Sequence, residues 1–354
     1  MRHGRQDTAY LFDKSERITL ETTVTLLGAL IIIFLAAELF TNALEALGER
    51  MGLSEGVTGS IFAAVGTAMP ETIVPMVAIL AGGSTLAVNH AVGMGAILGA
   101  PFMLATLSIG LIGFFAGLKR GWFTPLQPEV TGFQRDIKVF LVAYTLVIVV
   151  ALLPEAWHLA RLLTAFTLFI MYFMYVMATI RASKALVEEG HGTEADSDLY
   201  FKRFLGDSTA MVIVQLVTAL MALILGAKIF VHGIEIASTL FSVAALVLSL
   251  LIVPLATELP EKVNSILWIR KGRDTLAFGN VTGAMVFQGT VIPGIGMLLL
   301  PWSFHDGYAG LAVVLALMGS SWLWFLQRSG RLNASMMMLS ILLYGAFILY
   351  VIWV

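Results

Sequence analysis

The chain has 354 residues, of which 58% are hydrophobic and only 12% are charged, and its formal net charge at pH 7 is −2. Soluble domains carry about 25% charged residues, so most of this chain must lie in lipid or against other lipid-buried helices. The small net charge gives no indication of nucleic-acid binding. The chain has no cysteine, which excludes disulfides, thiol catalysis and sulfur-ligated metals.

The first feature along the chain is an N-terminal tail, residues 1–21, that mixes both charges. The apolar run from Val24 to Leu47 is too long for the core of a signal peptide, so we interpret it as a retained span. A helical span needs about 20 mostly apolar residues. Ten segments meet this requirement: 23–47, 57–80, 87–117, 138–153, 157–181, 208–237, 241–268, 275–300, 307–327 and 332–353.

The longest polar interval divides these spans into two groups of five. Residues 182–207 are predicted to form a cytoplasmic hinge loop between a first five-helix repeat, 22–181, and a second, 208–354. Alternate connections hold fourteen lysines and arginines on one side of the membrane, against five on the other. Because the cytoplasmic side retains basic residues, we expect both chain termini to lie outside.

An internal repeat appears when the sequence is shifted by 190 residues. The segment Thr67 to Glu71 then aligns with Thr257 to Glu261, and both read Thr-x-x-Pro-Glu. Five spans per unit place the two copies in opposite orientations across the membrane. The sequence therefore predicts an all-α membrane protein of ten transmembrane helices, arranged as two inverted five-helix repeats with broken helices at the centre. This plan is typical of secondary transporters.

The repeated motif has the chemistry of a cation site. A proline inside a helix removes a hydrogen bond and breaks or kinks the helix, and freed carbonyls in lipid are tolerated where they line a cavity. Glutamates beside such breaks, here Glu71 and Glu261, usually mark an ion path. Two carboxylates with the neutral oxygens of Thr67 and Thr257 suit Ca²⁺, which takes about 6–8 oxygen ligands in flexible geometry.

Glu258 adds a third carboxylate, one helical turn before Glu261. Two interpretations remain open. Closely packed like charges favour proton binding, so Glu258 or Glu261 could carry a proton through part of a transport cycle. Alternatively, Glu258 pairs with an intramembrane cation, for which Lys262 and Lys228 are the candidates.

These residues resemble the cation/calcium exchanger superfamily, which includes sodium/calcium and proton/calcium exchangers. The resemblance rests on Gly66–Glu71, on Thr257–Glu261 and on the following helix, Gly279–Gln288. In the first half, the matching helix aligns either as His90–Leu98 or as Gly95–Phe102. The resemblance implies alternating access, in which two peripheral helices slide against a core of eight.

Carried over to this sequence, the resemblance implies that Glu71 and Glu261 coordinate Ca²⁺ through their carboxylates. It implies that Thr67 and Thr257 contribute main-chain carbonyls. The chain departs from the family at its serine ligand. The residues found there are Ala68 in the first copy and Glu258 in the second.

The resemblance also marks two positions on the helix after the second motif. Gln288 takes an acidic or amide position, and Asn280 belongs to the Gly-Asn pair that opens the family's pattern. Glu38 and Lys228 are equivalent positions in the first helices of the two halves. They could pair across the interface, or each could lie close enough to a helix end to reach water.

The sequence favours a secondary active antiporter that exchanges Ca²⁺ for Na⁺. The first alternative is an antiporter of Ca²⁺ or another cation driven by H⁺, and a remote one is an intramembrane hydrolase, which has no evident use for the duplication. We expect no enzymatic activity and no cofactor. The expected partners are inorganic cations and the lipid bilayer, and the expected location is the cell (inner) membrane.

Overall fold

The computed structural model describes residues 3–50, 68–82, 84–154, 156–188, 200, 208–304 and 307–353. This part of the chain is helical, with one isolated antiparallel bridge between Pro125 and Asn333. Its helices are α1 His3–Arg50, α2 Met69–Val77, α3 Leu86–Met103, α4 Ile109–Arg120, α5 Val130–Ala151, α6 His158–Glu188, α7 Thr209–Phe241, α8 Ala245–Thr257, α9 Leu259–Arg270, α10 Asp274–Leu299, α11 Tyr308–Arg328, α12 Ala334–Met338 and α13 Ser340–Trp353. A π-helical turn, Ala78–Gly82, continues α2, and another, Leu104–Ser108, joins α3 to α4.

Seven segments in the described residues are long and apolar enough to cross a membrane. They are Thr19–Leu44, Leu86–Arg120, His158–Ala182, Thr209–Phe241, Asp274–Leu299, Tyr308–Arg328 and Ala334–Trp353. Two shorter apolar helices, Met69–Ala81 and Ala245–Leu255, begin or end at the repeated motif. The structure therefore confirms the prediction of an all-helical protein, and the described residues contain about seven apolar candidate spans where the sequence predicts ten.

The structure differs from the predicted boundaries at both ends of the first half. Helix α1 continues through the predicted tail as far as His3, so residues 3–21 are helical. Helix α6 runs on to Glu188, seven residues into the predicted hinge loop. The residues from Ala182 to Val187 include alanine, lysine and leucine, which propagate a helix readily without being apolar enough to extend a span. Most of the remaining hinge lies outside the described residues.

Helices α1 and α7 form an antiparallel pair. The Arg50 side chain at the end of α1 donates a hydrogen bond to Thr209 Oγ1 at the start of α7, at 3.4 Å. Gly226 of α7 lies against Ile33 of α1, so closely that a Cβ at this glycine would be 2.9 Å from an Ile33 side-chain carbon. Small residues allow such an approach between helices in lipid. The pair and the apolar sides of α2 and α8 share one core cluster, whereas α4–α6 and α10–α13 belong to a second and larger one.

Several connections meet at one end of the molecule. Asp274 at the start of α10 forms an ion pair with Arg120 at the end of α4 and accepts a hydrogen bond from the Gln127 backbone N–H at 2.7 Å. The Leu126 N–H donates to the Leu332 carbonyl at 2.8 Å, which joins the loop before α5 to the loop before α12. The connections that follow three of the predicted spans therefore share a face, as their alternating order predicts.

Glu129 in the same region caps helix α5. Its carboxylate accepts hydrogen bonds from the backbone N–H groups of Thr131 and Gly132, at 2.7 and 2.6 Å. Partial burial raises the pKa of the Glu129 carboxyl, but these backbone hydrogen bonds outweigh burial and leave the pKa below its ordinary value. The cap makes α5 begin at Val130, eight residues before the predicted span.

Candidate cation site at the helix breaks

The second copy of the motif is a broken helix, as predicted. Helix α8 ends at Thr257 and α9 begins at Leu259, while Glu258 between them has φ −98° and ψ 7°. Pro260 lies in the first turn of α9, where its missing N–H costs no helical hydrogen bond. The break therefore results from a proline that can begin a helix but cannot continue one.

The first copy has the same form where the structure describes it. Helix α2 begins at Met69, which is equivalent in the 190-residue register to Leu259, the first residue of α9. Ala68 is its N-cap residue, and Glu71 lies in the first turn with only 5% of its surface exposed. The positive end of a helix dipole favours a carboxylate at this position.

The folding of the two halves brings the two breaks to one region. Val74, one turn after Glu71 on the same face of α2, belongs to the same buried cluster as Val253 of α8. Val253 in turn lies one turn before Thr257, whose hydroxyl donates to the Val253 carbonyl at 3.2 Å. Helix α2 starts at its motif and α8 ends at its motif, so the two short helices approach the same level from one side.

Helix α3 of the first half crosses α8 of the second half almost without side chains between them. A Cβ at Gly95 would be 2.4 Å from the Leu246 carbonyl oxygen, and one at Gly99 would be 2.2 Å from the Leu250 carbonyl oxygen. The Ser249 hydroxyl also donates to the Val92 carbonyl at 2.6 Å. The two halves are therefore joined backbone to backbone just before the break at Glu258.

An ion pair lies at this break. The Lys262 Nζ donates to Glu258 Oε2 at 3.1 Å and to the Pro254 carbonyl at 3.4 Å. The pair is buried, with Glu258 1% exposed and Lys262 5% exposed. Of the two cations that the sequence offered as partners for Glu258, the structure selects Lys262, one turn along α9.

Two oxygens at the break accept no hydrogen bond from the part of the chain that the structure describes. These are Glu258 Oε1 and Gln288 Oε1, and both are buried. The Gln288 side chain extends from α10 to interact with the Glu258 carboxylate, so the two side chains meet at the break. Buried polar atoms normally have partners. Acceptor oxygens without donors, between helix ends, are suited to a cation.

The other predicted site residues are placed less completely. Thr67 and the side chain of Glu261 lie outside the described residues. Within the described part of the chain, no three histidine or acidic side chains form a metal-binding group. A Ca²⁺ site that includes Glu71 would therefore need oxygens from those two residues as well.

The predicted accessory residues lie at different distances from the breaks. Asn280 donates to Ser265 Oγ at 3.0 Å, which connects α10 to α9 beyond the ion pair. Glu38 and Lys228 are exposed, and no ion pair among the described side chains joins them. Glu38 instead accepts a hydrogen bond from the Tyr200 hydroxyl at 3.0 Å.

A buried polar cluster on α5, α6 and α10 escaped sequence analysis. Asp136 Oδ2 accepts a hydrogen bond from the Thr282 hydroxyl at 2.7 Å, and Arg135 lies 3.7 Å from the other oxygen. The Tyr175 hydroxyl interacts with the same carboxylate, and its ring lies beneath the Arg135 guanidinium. The basic residues around position 135 indicate a loop. The signal for a buried position was the Pro-Glu pair at 128–129, which starts a helix early enough to include Asp136.

A second contact that sequence analysis missed joins the α1–α7 pair to the rest of the protein. Glu235 of α7 accepts hydrogen bonds from the backbone N–H and the hydroxyl of Ser84, which precedes α3. His232, one turn earlier on α7, lies 3.8 Å from the same carboxylate. No sequence pattern indicated Ser84, because a lone serine after two glycines is typical of any turn.

The helix breaks, the buried carboxylates and the apolar spans define a membrane cation transporter. The chain matches the protein family described as "Sodium/calcium exchanger protein" over residues 21–181 and 211–353. These ranges cover most of the chain, so it belongs to that family. The family consists of cation antiporters, and the chain is thus an integral membrane transporter and not an enzyme.

Three curated relatives are similar over most of their length. CaxA of Alkalimonas amylolytica is 25% identical over 305 residues, which cover 84% of this chain and 89% of the relative. The inner membrane protein YrbG of Escherichia coli is 25% identical over 80% of this chain and 81% of its own. The sodium/calcium exchanger MaX1 of Methanosarcina acetivorans is 24% identical over 82% of this chain and 86% of its own.

Two kinds of solved exchanger share the fold. The H⁺/Ca²⁺ exchanger CAX superposes with a TM-score of 0.67 over 94% of this chain and 86% of its own, at 15% identity. The sodium-calcium exchanger NCX_Mj superposes with a TM-score of 0.55 over 93% of this chain and 97% of its own, at 18% identity. These likenesses establish the fold, and one neighbour is named for H⁺ and the other for Na⁺.

Proposed function

We propose that this protein is a secondary active antiporter that exports or imports Ca²⁺ in exchange for Na⁺ by alternating access. The observation that carries the proposal is the meeting of two motif-bearing helix ends, α2 and α8, from opposite halves of the chain. Glu71 is buried at one end, and at the other Glu258 and Gln288 present acceptor oxygens to which no described residue donates. Carboxylate, amide and main-chain oxygens are the hard ligands that Ca²⁺ prefers.

Glu71 and Glu261 are proposed as the carboxylates that bind Ca²⁺, with Thr67 and Thr257 contributing main-chain carbonyls. The equivalence of Glu71 and Glu261 in the 190-residue register supports this assignment, because each falls in the first turn of a helix that starts at a break. In the same proposal, α1 and α7 slide as a pair. The close contact between Gly226 and Ile33 supports a pair that moves as one body.

The proposal includes the finer architecture: ten transmembrane helices in two inverted repeats of five. The equivalence of α2 and α9 supports it, as does the antiparallel pairing of α1 with α7, the first helices of the two halves. It also places the protein in the cell (inner) membrane, with both termini outside. The relative YrbG, named as an inner membrane protein, supports that location.

A proton-coupled antiporter is the second candidate, and Glu258 is the reason to retain it. The carboxyl of this residue is almost completely buried beside a lysine, so a change in its protonation would alter the charge at the break. Ca²⁺ flux with and without an imposed pH gradient, in wild type and in Glu258→Gln, distinguishes the two. Unchanged dependence on the pH gradient in the variant would exclude a proton role for Glu258.

The test of the main proposal is Ca²⁺ flux into proteoliposomes under an imposed Na⁺ gradient. We expect Glu71→Gln and Glu261→Gln each to reduce the flux at least about tenfold, because each removes a charged ligand from a divalent cation. Glu129→Gln is the matched control, since it makes the same chemical change at a helix cap outside the site. Normal transport by both site variants would contradict the proposal.

A further inference from the structure

The ion pair at the second break differs from anything in the first copy. In the 190-residue register, Glu258 corresponds to Ala68 and Lys262 to Thr72. Thr72 uses its hydroxyl within α2, donating to the Ala68 carbonyl at 2.8 Å. The second copy therefore contains one additional negative and one additional positive charge, and the sum of the two is zero.

The surroundings of the Lys262 ammonium are those of a monovalent cation site. It donates to a carboxylate oxygen of Glu258 and to the Pro254 main-chain carbonyl, near the end of a broken helix. Carboxylate and main-chain oxygens at helix breaks coordinate Na⁺ in membrane transporters. The lysine nitrogen places a single positive charge, fixed to the chain, among the same kinds of oxygen.

Burial makes this positive charge necessary. A carboxylate that is 1% exposed at a break between helices must be neutralised, by a proton or by a cation. Lys262 supplies the cation. Its ammonium group cannot dissociate into solution as a free ion can, because it is covalently part of the chain, one helical turn from Glu258. Glu258 Oε1 and Gln288 Oε1 remain as two further acceptors beside the pair.

We infer that Lys262 is a tethered monovalent cation that takes the place of one coupling ion beside Glu258. The wild-type protein thus moves one monovalent cation fewer per Ca²⁺ than it would if Glu258 were present without Lys262. Na⁺ and K⁺ share the chemistry that would replace the ammonium, and the experiment distinguishes them. The inference rests on the proposed antiport for its transport consequence, but its binding consequence is separate.

The binding test measures thermal unfolding of purified full-length protein in NaCl, KCl and N-methylglucamine chloride at equal ionic strength. In Lys262→Met, Na⁺ or K⁺ should raise Tm by about 5 °C more than in wild type, because the ion binds the folded state at the vacated position. Lys262→Arg retains the charge. Glu258→Gln with Lys262→Met removes both charges. Neither should gain this response.

A Lys262→Met protein that Na⁺ and K⁺ stabilise no more than wild type overturns the inference. A variant that stays unfolded in both NaCl and KCl also overturns it, because the free ion should then replace the missing ammonium. The transport test measures ²²Na⁺ and ⁴⁵Ca²⁺ fluxes in proteoliposomes at zero membrane potential. Lys262→Met should move one more Na⁺ per Ca²⁺ than wild type, and an equal ratio overturns the inference. If wild type does not transport Ca²⁺, the proposed function fails while the thermal test remains decisive for Lys262.

Discussion

At the residue scale, the site depends on charges that are compensated where they are buried. Glu258 has Lys262, and Asp274 has Arg120 together with the Gln127 backbone N–H. The two pairs differ in what surrounds them. Among the described residues, the first lies at a helix break beside acceptor oxygens without donors, whereas the partners of the second lie in a loop and at a helix end. We therefore assign a transport role to the first pair and a structural role to the second.

The structural role of Asp274 gives a prediction about stability. Asp274→Asn should destabilise the protein by about 2 kcal/mol, because it weakens hydrogen bonds to a charged group that fix the loop before α5. Thermal unfolding in detergent measures this change, and Ca²⁺ affinity should stay as in wild type. Arg273→Gln is the control, since Arg273 is exposed on the adjacent residue. An equal loss of stability in both variants would contradict the assigned role.

Sequence analysis identified the charged residues of the site but not their pairing. It named both Lys262 and Lys228 as candidate partners of Glu258, and the choice depends on which lysine lies one turn beyond the break. Asp136 was missed because the basic residues around it suggest a loop. Its burial follows from contacts with Thr282 and Tyr175, which are distant in sequence. Pairwise contacts of this kind cannot be inferred from one chain without knowing how its helices pack.

At the scale of helices, the breaks were predictable and the crossings were not. Proline acts on its own turn, so the start of α9 at Leu259 follows from local chemistry. The glycines of α3 allow a close approach of another helix, but from sequence alone that helix could be any neighbour. The structure identifies this partner as α8, and Gly95 and Gly99 are the points of contact.

This crossing predicts that substituting alanine for glycine will affect stability very differently at two positions. Gly99→Ala should destabilise the protein by about 3 kcal/mol, because its Cβ would meet the Leu250 carbonyl oxygen at 2.2 Å and main-chain atoms cannot move aside. Gly279→Ala on α10 is the matched control, since a Cβ there has no atom within 4 Å. Size-exclusion profiles and thermal unfolding measure the stability of both variants. A Gly99→Ala protein as stable as the control would show that α3 and α8 are farther apart.

At the scale of the whole molecule, the pair of α1 and α7 packs with α2 and α8 in one core cluster, and polar contacts also connect the pair to the remainder. One is Glu235 to Ser84 on the connection before α3. Another is Tyr200, which reaches Glu38 and Asn42 on α1. A sliding pair must break or shift such contacts in each cycle, so these contacts offer a direct test of movement.

Because the chain lacks cysteine, introduced thiols give a clean cross-linking test. Ser84→Cys with Glu235→Cys should stop transport when oxidised and restore it when reduced, since the disulfide fixes α7 to the connection before α3. Ile33→Cys with Gly226→Cys, a pair within α1 and α7, should leave transport active after oxidation. The measurement is Ca²⁺ flux in proteoliposomes before and after reduction with dithiothreitol. Full activity of the oxidised first pair would exclude sliding of α7 at that contact.

Single cysteines also test the predicted orientation of the chain. Lys271→Cys lies on the face where the basic connections meet, and Ala244→Cys lies at the other end of the broken helix α8–α9. In intact cells, a membrane-impermeant maleimide should label Ala244→Cys and not Lys271→Cys. Both positions are exposed, so differences in burial do not confuse the result. The reverse labelling pattern would place both termini inside the cell.

The contact between α3 and α8 also constrains how the protein is made. When residues 86–103 leave the ribosome, the helix that will cover Gly95 and Gly99 has not been synthesised, because α8 begins only at Ala245. At about 5–20 residues per second, α3 waits on the order of ten seconds for its partner. The first half therefore enters the bilayer with the Gly95–Gly99 face of α3 not yet packed against its partner helix. Packing of the first half is completed only when α8 of the second half has been synthesised. A ribosome that stalls before α8 therefore leaves a membrane-inserted fragment in which α3 has no partner helix.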